Sequence, residues 1–521
     1  MKNFKIIISI FIVSCFYSAC SDNFLNLSPE GNLNEDIFFK SPDDFEQALV
    51  GAYEPLRGIS DIAYLMDECR SDNARFFYYA KDRGGNNTEI MTSYITSTDN
   101  GILLDRYSTA FVGVSRANTI LDRIVEENFT DMAVKNRIIG EAKTLRAHYY
   151  FDLVRKFGGV PLFLSEVTVP GQAYLPRASV DEVYAQIITD LEDAISLLPN
   201  PTFASSDIGR VNKGVASTEL ATVYLTLGDY PNAINQLEAV TTMGYELIPN
   251  FKDVFDPSNK GNNELIWDVQ YQSGTTGQGS EFIYDFIPVM PNTGPILGTD
   301  FNNTQGGWNY PTEDLINLYD TDDMRFDATV GVFVGELNAD DDFVATDSSY
   351  KSIVNYIPDP DKEVRYFANK FYFPTYPERS QGTDQNWPIY RYSDVLLMLA
   401  ECYNDSPQGR DPGKVLGYLN QVRNRAFGDS SHEITVTNQD SLRTIIEIER
   451  RLELAFENKR SNDLIRTNRL VSVMNEFGIK QKDKHSYLLP DAYTLTENDR
   501  LFPIPFQEMQ LNDLLVQNPG Y

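Results

Sequence analysis

"GRVNKGVASTELATVYLTLGDYPNAINQLEAV", residues 209–240, holds two helical patterns joined by a short turn. Ala216, Leu220, Ala221 and Tyr224 recur at three- and four-residue spacing and line one face of a helix. "LGDY" (227–230) makes the turn, and Ala233 and Leu237 face back from the next helix. Small residues at these offsets let two helices cross closely. A helix pair of this size cannot bury its apolar face alone, so neighbouring pairs must stack on it.

The unit resembles a tetratricopeptide repeat, and the flanking sequence supplies partners. Residues 105–127 and 133–163 read as long helices, the second carrying Ile138, Ala142, Leu145, Tyr149 and Leu153 on one stripe. It stops at Gly158-Gly159 with Pro161 beyond. A further helix is predicted over 179–199, and a first one over 41–58, with Ser41 as N-cap, Pro42 at the first helical position and a stop near Gly58. Helices return at 387–405, 411–427 and 441–467. Between them, residues 246–386 are rich in Gly, Asn, Thr, Asp and aromatics and show little helical periodicity. A loop-rich stretch this long in a compact protein carries function or is disordered, and its aromatics favour order. The expected fold is mainly α: one body over 41–521, with helical repeats over 41–245 and 387–467 and a loop-rich, ligand-binding region over 246–386.

The 521 residues carry a formal charge of −31, which excludes a basic nucleic-acid surface and electrostatic attraction to anionic lipid. Membrane contact must come from the N-terminus. Lys2 and Lys5 precede the apolar run 6–19, which is too short to span a bilayer and reads as a secretory signal over 1–19. Small residues before cysteine look like a bacterial lipoprotein processing site, and both "IVSC" (12–15) and "YSAC" (17–20) fit. Cutting before Cys20 gives the longer apolar run and is preferred, leaving 20–40 as a polar tether. Cys69 and Cys402 lie in separate halves without metal-ligand spacing and read as buried free thiols.

Catalytic signals are weak. His148, His432 and His485 are scattered, and there is no HExxH, GxSxG, P-loop or GxGxxG. With 75 acidic residues, sequence alone singles out no glycosidase pair. The acidic loops 319–325 and 339–343 have the residue types for a structural Ca2+ but not the calcium-loop spacing, and read as solvated. Alternating Glu449, Arg450, Glu453, Glu457, Arg460 and Asp463 predict a salt-bridge ladder tying the last long helix to the repeats. Aromatics beside polar side chains are the better signal. Arg75, Phe76, Tyr78, Tyr79, Arg83 and Asn86 cluster in 73–87, and Tyr284, Asn303 and Trp308 lie in 281–310. Flat rings stack on the C–H faces of sugars, while Arg and Asn at the rim bond the hydroxyls.

"CSDNFLNLSPEG", "LRAHYYFDLVRKFGGVPL", "ATVYLTLGDY", "GWNYPTEDLINLYD", "RYSDVLLMLAE", "ERRLELAFENKR" and the terminal "QNPGY" occur in that order, and together they resemble the SusD/RagB family. The resemblance covers essentially the whole mature chain. It implies four tetratricopeptide-like helix pairs, lipidation of Cys20 rather than Cys15, and a cell-surface position at the outer membrane. It also implies a non-enzymatic role without cofactor: capturing an oligosaccharide for a SusC-like TonB-dependent outer-membrane transporter. "GWNYPT" recurs in the family, which gives Trp308 a scaffold reading beside the ligand one. The alternatives are a peptide or glycoprotein-fragment binder, a surface glycosidase, and an adaptor with protein partners only.

Overall fold

A computed structural model of the chain describes residues 38–77, 86–275, 277–292, 294, 296, 306–347, 350–354, 356–374 and 376–521. Cys20 and the proposed signal and most of the tether lie outside them. The longer helices are numbered here along the chain. The segment predicted as one helix over 41–58 is two, α1 (Pro42–Tyr53) and α2 (Pro55–Met66). Pro55 has no N–H to donate and its ring clashes with the preceding turn, so it ends one helix and opens the next. Asp44 secures the start of α1 by accepting from the Ser41 backbone N–H and hydroxyl, both at 2.8 Å.

The next helices are α3 (Gly101–Arg123), α4 (Met132–Phe157), α5 (Val180–Leu197), α6 (Lys213–Thr226) and α7 (Tyr230–Thr241). Asn212 accepts from Gly214 N–H and Val215 N–H at the head of α6, and Asp229 caps α7. Each helix from α3 to α7 packs on the next in chain order. The middle of α6 is buried all round, from Gly214 through Tyr224, apart from Thr222. That is the signature of a helix with neighbours on both sides.

The stack continues into α8 (Tyr392–Asp405), α9 (Pro412–Phe427) and α10 (Gln439–Glu453), although a long insertion separates α7 from α8. Strand β2 (Leu265–Val269), which follows α7, and strand β8 (Trp387–Arg391), which leads directly into α8, pair antiparallel and pinch the insertion shut at its base. Shorter strands are β1 (Ala74–Arg75) and β3 (Tyr310–Pro311), which pair with each other. The insertion is not only loops. Strand β4 (Val330–Leu337) is flanked by β5 (Phe343–Ala345), β6 (Lys351–Ser352) and β7 (Glu363–Ala368), all antiparallel to it. Val330, Val332 and Phe333 are fully buried, which a solvated loop would not require.

The charged stretch 447–466 departs from the predicted ladder along one helix. Helix α10 ends at Glu453, Phe456 and Asn458 take left-handed φ of 66° and 62°, and α11 (Arg460–Arg466) starts afresh. The side chains reach across the molecule instead. Glu453 meets Arg325 and Arg391 at 3.0 Å each, and also Arg425; Glu457 meets Arg391 at 2.8 Å and Lys370 at 2.7 Å. Glu449 meets Arg325 and Arg423, both at 2.7 Å, and Glu264 meets Arg391 at 2.5 Å. These side chains come from the insertion, the strand pair and the residue before it, α9, α10 and the link from α10 to α11. Tying the last long helix to the repeats was the predicted role, and here the insertion is tied in as well.

Helices α3 and α4 also cross closely. A Cβ at Gly113 of α3 would lie 2.3 Å from the Tyr149 ring of α4, whose hydroxyl donates to the Ala52 carbonyl at 2.6 Å. Gly113→Ala gains helix propensity worth ~1 kcal/mol but forces the buried ring to move, a cost of about 1–3 kcal/mol or more. Thermal unfolding should show a lower midpoint for the variant; a raised midpoint would contradict this packing. Cys69 and Cys402 are buried and unpaired, and His148 packs edge-on to Trp267 while its Nδ1 faces Glu219 at 3.1 Å.

Candidate functional site

Pairing of Ala74 with Pro311 and of Arg75 with Tyr310 fixes two distant loops side by side. Thr312 reinforces the junction, its hydroxyl donating to the Asp72 carbonyl at 2.6 Å. The preceding turn runs through Gly306 and Gly307 at φ 144° and 71°, a left-handed path glycine takes without a Cβ penalty. Gly307 N–H then donates to the Ile287 carbonyl and Trp308 N–H to the Asp285 carbonyl, both at 2.8 Å. Trp308 is thereby held at a set height.

Phe76 and Trp308 consequently stack, centroids 5.3 Å apart and planes 23° from parallel. Beside them Phe77 leans on Tyr310 at 5.1 Å, and Tyr310 meets Tyr366 of β7 at 6.0 Å. Phe76, Phe77 and Trp308 are half-buried, so the corner keeps aromatic surface open. Arg75 lies over the Tyr310 ring at 4.8 Å and donates from Nη1 to the Tyr487 hydroxyl at 3.2 Å. His485 meets the Tyr487 ring at 5.3 Å, and its pKa is lowered to about 4 by burial and by the charges of Arg75 and Lys484. It is therefore neutral at physiological pH.

The structure thus joins Arg75, Phe76 and Trp308 from the predicted set with Phe77 of the same aromatic stretch, and adds Tyr310, Tyr366, Tyr487 and Arg365, whose guanidinium carbon lies 5.1 Å from the centre of the Phe77 ring. Tyr78, Tyr79, Arg83 and Asn303 lie outside the described residues. Asn86 opens the helix Asn86–Thr92, and its side chain lies outside them too. Tyr284 is a correction. It is fully buried, and its hydroxyl donates to the Pro377 carbonyl at 2.7 Å, so its ring offers no stacking face. All five residues of its helix, Phe282–Phe286, are buried, with Phe282 and Phe286 packed against Phe371 and Trp387. The neighbouring Asp285 carboxyl is pushed up to about 6 by burial, against the pull of Arg379 at 2.6 Å.

A second cavity, about 280 Å3, opens among α2, α4, α6, β8 and α11. Asp67 and Asp152 line it and share Arg106, at 2.8 and 2.5 Å. Burial alone would raise both carboxyls, but Arg106 and Lys156 outweigh it and hold both below the usual range. Neither is suited to donate a proton at neutral pH, and the lining reads as ion-paired scaffold. Among the described residues, no group of three or more His, Cys, Asp or Glu is placed to hold a metal ion.

A model of the SusD family matches residues 263–521, and a second, described as starch-binding associating with outer membrane, matches residues 23–225. The chain belongs to the SusD family. It is 26% identical to SusD-like protein P25 of Formosa agariphila, with all of both chains covered. A solved laminarin-binding SusD-like protein superposes with a TM-score of 0.72 at 25% identity, covering 93% of this chain and all of the other. Surface glycan-binding protein A from Bacteroides thetaiotaomicron, in complex with laminarihexaose, has the same fold: TM-score 0.70, 23% identity, 91% and 99% covered. The tetratricopeptide-like stack is thus the SusD-like helical fold. Among the described residues no helix is long and apolar enough to cross a membrane.

Proposed function

We propose that the protein is a cell-surface lipoprotein that binds an oligosaccharide at the Phe76–Trp308 corner and delivers it to a SusC-like TonB-dependent outer-membrane transporter. The observation that carries this reading is the stacked, half-buried Phe76–Trp308 pair, with the Arg75 guanidinium on the neighbouring Tyr310 ring. An aromatic platform takes the apolar face of a sugar, and a planar donor orients its hydroxyls. The laminarin and laminarihexaose named for two structural neighbours support a glycan as the ligand class. The paired state of the acids in the second cavity supports binding rather than hydrolysis.

Calorimetric titration with neutral and acidic oligosaccharides tests the reading. Saturable binding to at least one is expected, and no binding across the panel would overturn it. The anchor is tested separately. Acylation with more than one chain makes such an anchor stable, each buried CH2 contributing ~0.8 kcal/mol. Cys20→Ser should therefore move the protein from the outer-membrane fraction to the soluble fraction. Unchanged membrane retention would sink the anchor.

A further inference from the structure

The corner is cationic in a strongly anionic protein. Arg75 and Arg365 flank the same ring, their guanidinium carbons 5.3 and 5.1 Å from the centre of Phe77. Arg75 also covers Tyr310, and its side-chain hydrogen bond goes to a phenol, the Tyr487 hydroxyl. It has no carboxylate partner among the described residues. Among the described residues the one carboxylate that Arg365 meets is Glu363, two positions away on the same strand at 3.1 Å, where water screens the pair because Glu363 is about half exposed. Both side chains are half-buried.

Most of the molecule's other buried arginines face acids, whereas Arg70, packed against Tyr94 and Phe502, donates to the Met91 and Asp499 carbonyls and the Thr96 hydroxyl. Arg106 faces two aspartates, Arg325 and Arg391 each face three acids, and Arg466 faces Glu401 and Asp463. Arg70 is satisfied by three oxygens inside the fold, but the half-buried Arg75 has a single side-chain hydrogen bond among the described residues, to a phenol. In a chain with 75 acidic residues its missing counter-charge is a feature that a ligand can complete. Guanidinium groups packed against rings are restrained in place, and their paired N–H groups match the oxygens of a carboxylate or sulfate. A sugar hydroxyl uses one such donor; an anionic substituent uses two and neutralises the charge.

We propose that this corner selects oligosaccharides bearing anionic groups, uronate carboxylates or sulfate esters, with the sugar ring on Phe76–Trp308 and the anion against Arg75 and Arg365. This rests on the glycan-binding reading above and narrows it to a substrate class.

Titration calorimetry with three probes of matched length tests the proposal: laminarihexaose as the neutral sugar, hexagalacturonate for carboxylate, and a sulfated carrageenan hexasaccharide for sulfate. One acidic probe should bind about tenfold or more tighter than the neutral one, and which one identifies the source of the anion. Arg75→Gln should bring the acidic and neutral affinities together, Arg75→Lys should keep part of the difference, and Arg365→Gln should reduce it. Circular dichroism shows whether each variant is folded, and Arg365→Gln carries the test if Arg75→Gln is not. Neutral binding as tight as acidic, or selectivity untouched in folded Arg75→Gln and Arg365→Gln, would overturn this inference and leave the glycan reading standing. Binding of none of the three probes would remove both.

Discussion

Glu453→Ala should cost about 3–5 kcal/mol of folding stability, the usual consequence of removing one member of a buried ion pair. The side chain is fully buried and faces three guanidiniums, those of Arg325, Arg391 and Arg425. Its removal leaves those cations with one carboxylate fewer in a dry interior, where the lost attraction is not replaced by hydration. Burial alone would raise the Glu453 pKa, but Arg425, Arg391 and Arg325 outweigh it and hold the carboxyl well below its ordinary value of 4.5. A depressed folded-state pKa means stability that is present above about 4.5 and lost as the pH falls through the folded value. Glu457 and Asp463 are depressed in the same direction, by Arg391 with Lys370 and by Arg450 with Arg466. Urea unfolding at neutral pH should show the loss directly. Repeated at successively lower pH, it should show wild type losing stability more steeply than Glu453→Gln. A variant within about 1 kcal/mol of wild type at pH 7 would mean that the ionic cluster does not lock the insertion to the helices.

Trp308→Ala should weaken oligosaccharide binding at least tenfold, about 1.4 kcal/mol, and Phe76→Ala should follow it. The two rings stack at 5.3 Å, so each also orients the other, and the double variant should lose less than the sum of the singles. Trp308 is held in place through its backbone N–H on Asp285, which Ala retains, so the turn should survive the substitution. Calorimetry on the four proteins of the cycle measures this. Equal affinity for wild type and a folded Trp308→Ala would place the ligand elsewhere on the molecule.

The helical stack was legible because its signals are local. The stripe through Ala216 and Leu220 and the turn at 227–230 act within a few residues, and the structure adds the equally local caps Asn212 and Asp229. The break at Pro55 is equally local, but the apolar stripe continues across it and hides it. The insertion was harder. Val330, Val332 and Val334 alternate with Gly331, Phe333 and Gly335, a strand signal diluted by glycine, and β7 pairs with β4 only in three dimensions. The ionic stretch 447–466 displayed its charges but not its partners, because Arg325, Lys370 and Arg391 lie far off in sequence.

At the site, composition found the rings but not their exposure. "EFIYDF" and "NARFF" look alike, yet the first is a buried helix and the second ends at an open corner. Arg365 and Tyr487 carry no local signal at all. They join the corner where the Tyr366 N–H of β7 donates to the Tyr310 hydroxyl of β3, and through the hydrogen bond between Tyr487 and Arg75.

A crystal structure of the protein with a bound oligosaccharide tests the central claim most directly. A sugar ring should lie in van der Waals contact, about 4 Å, with Phe76 or Trp308, with a substituent within hydrogen-bonding distance of Arg75. A saccharide seated instead in the cavity lined by Asp67, Arg106 and Asp152, away from these rings, would contradict it.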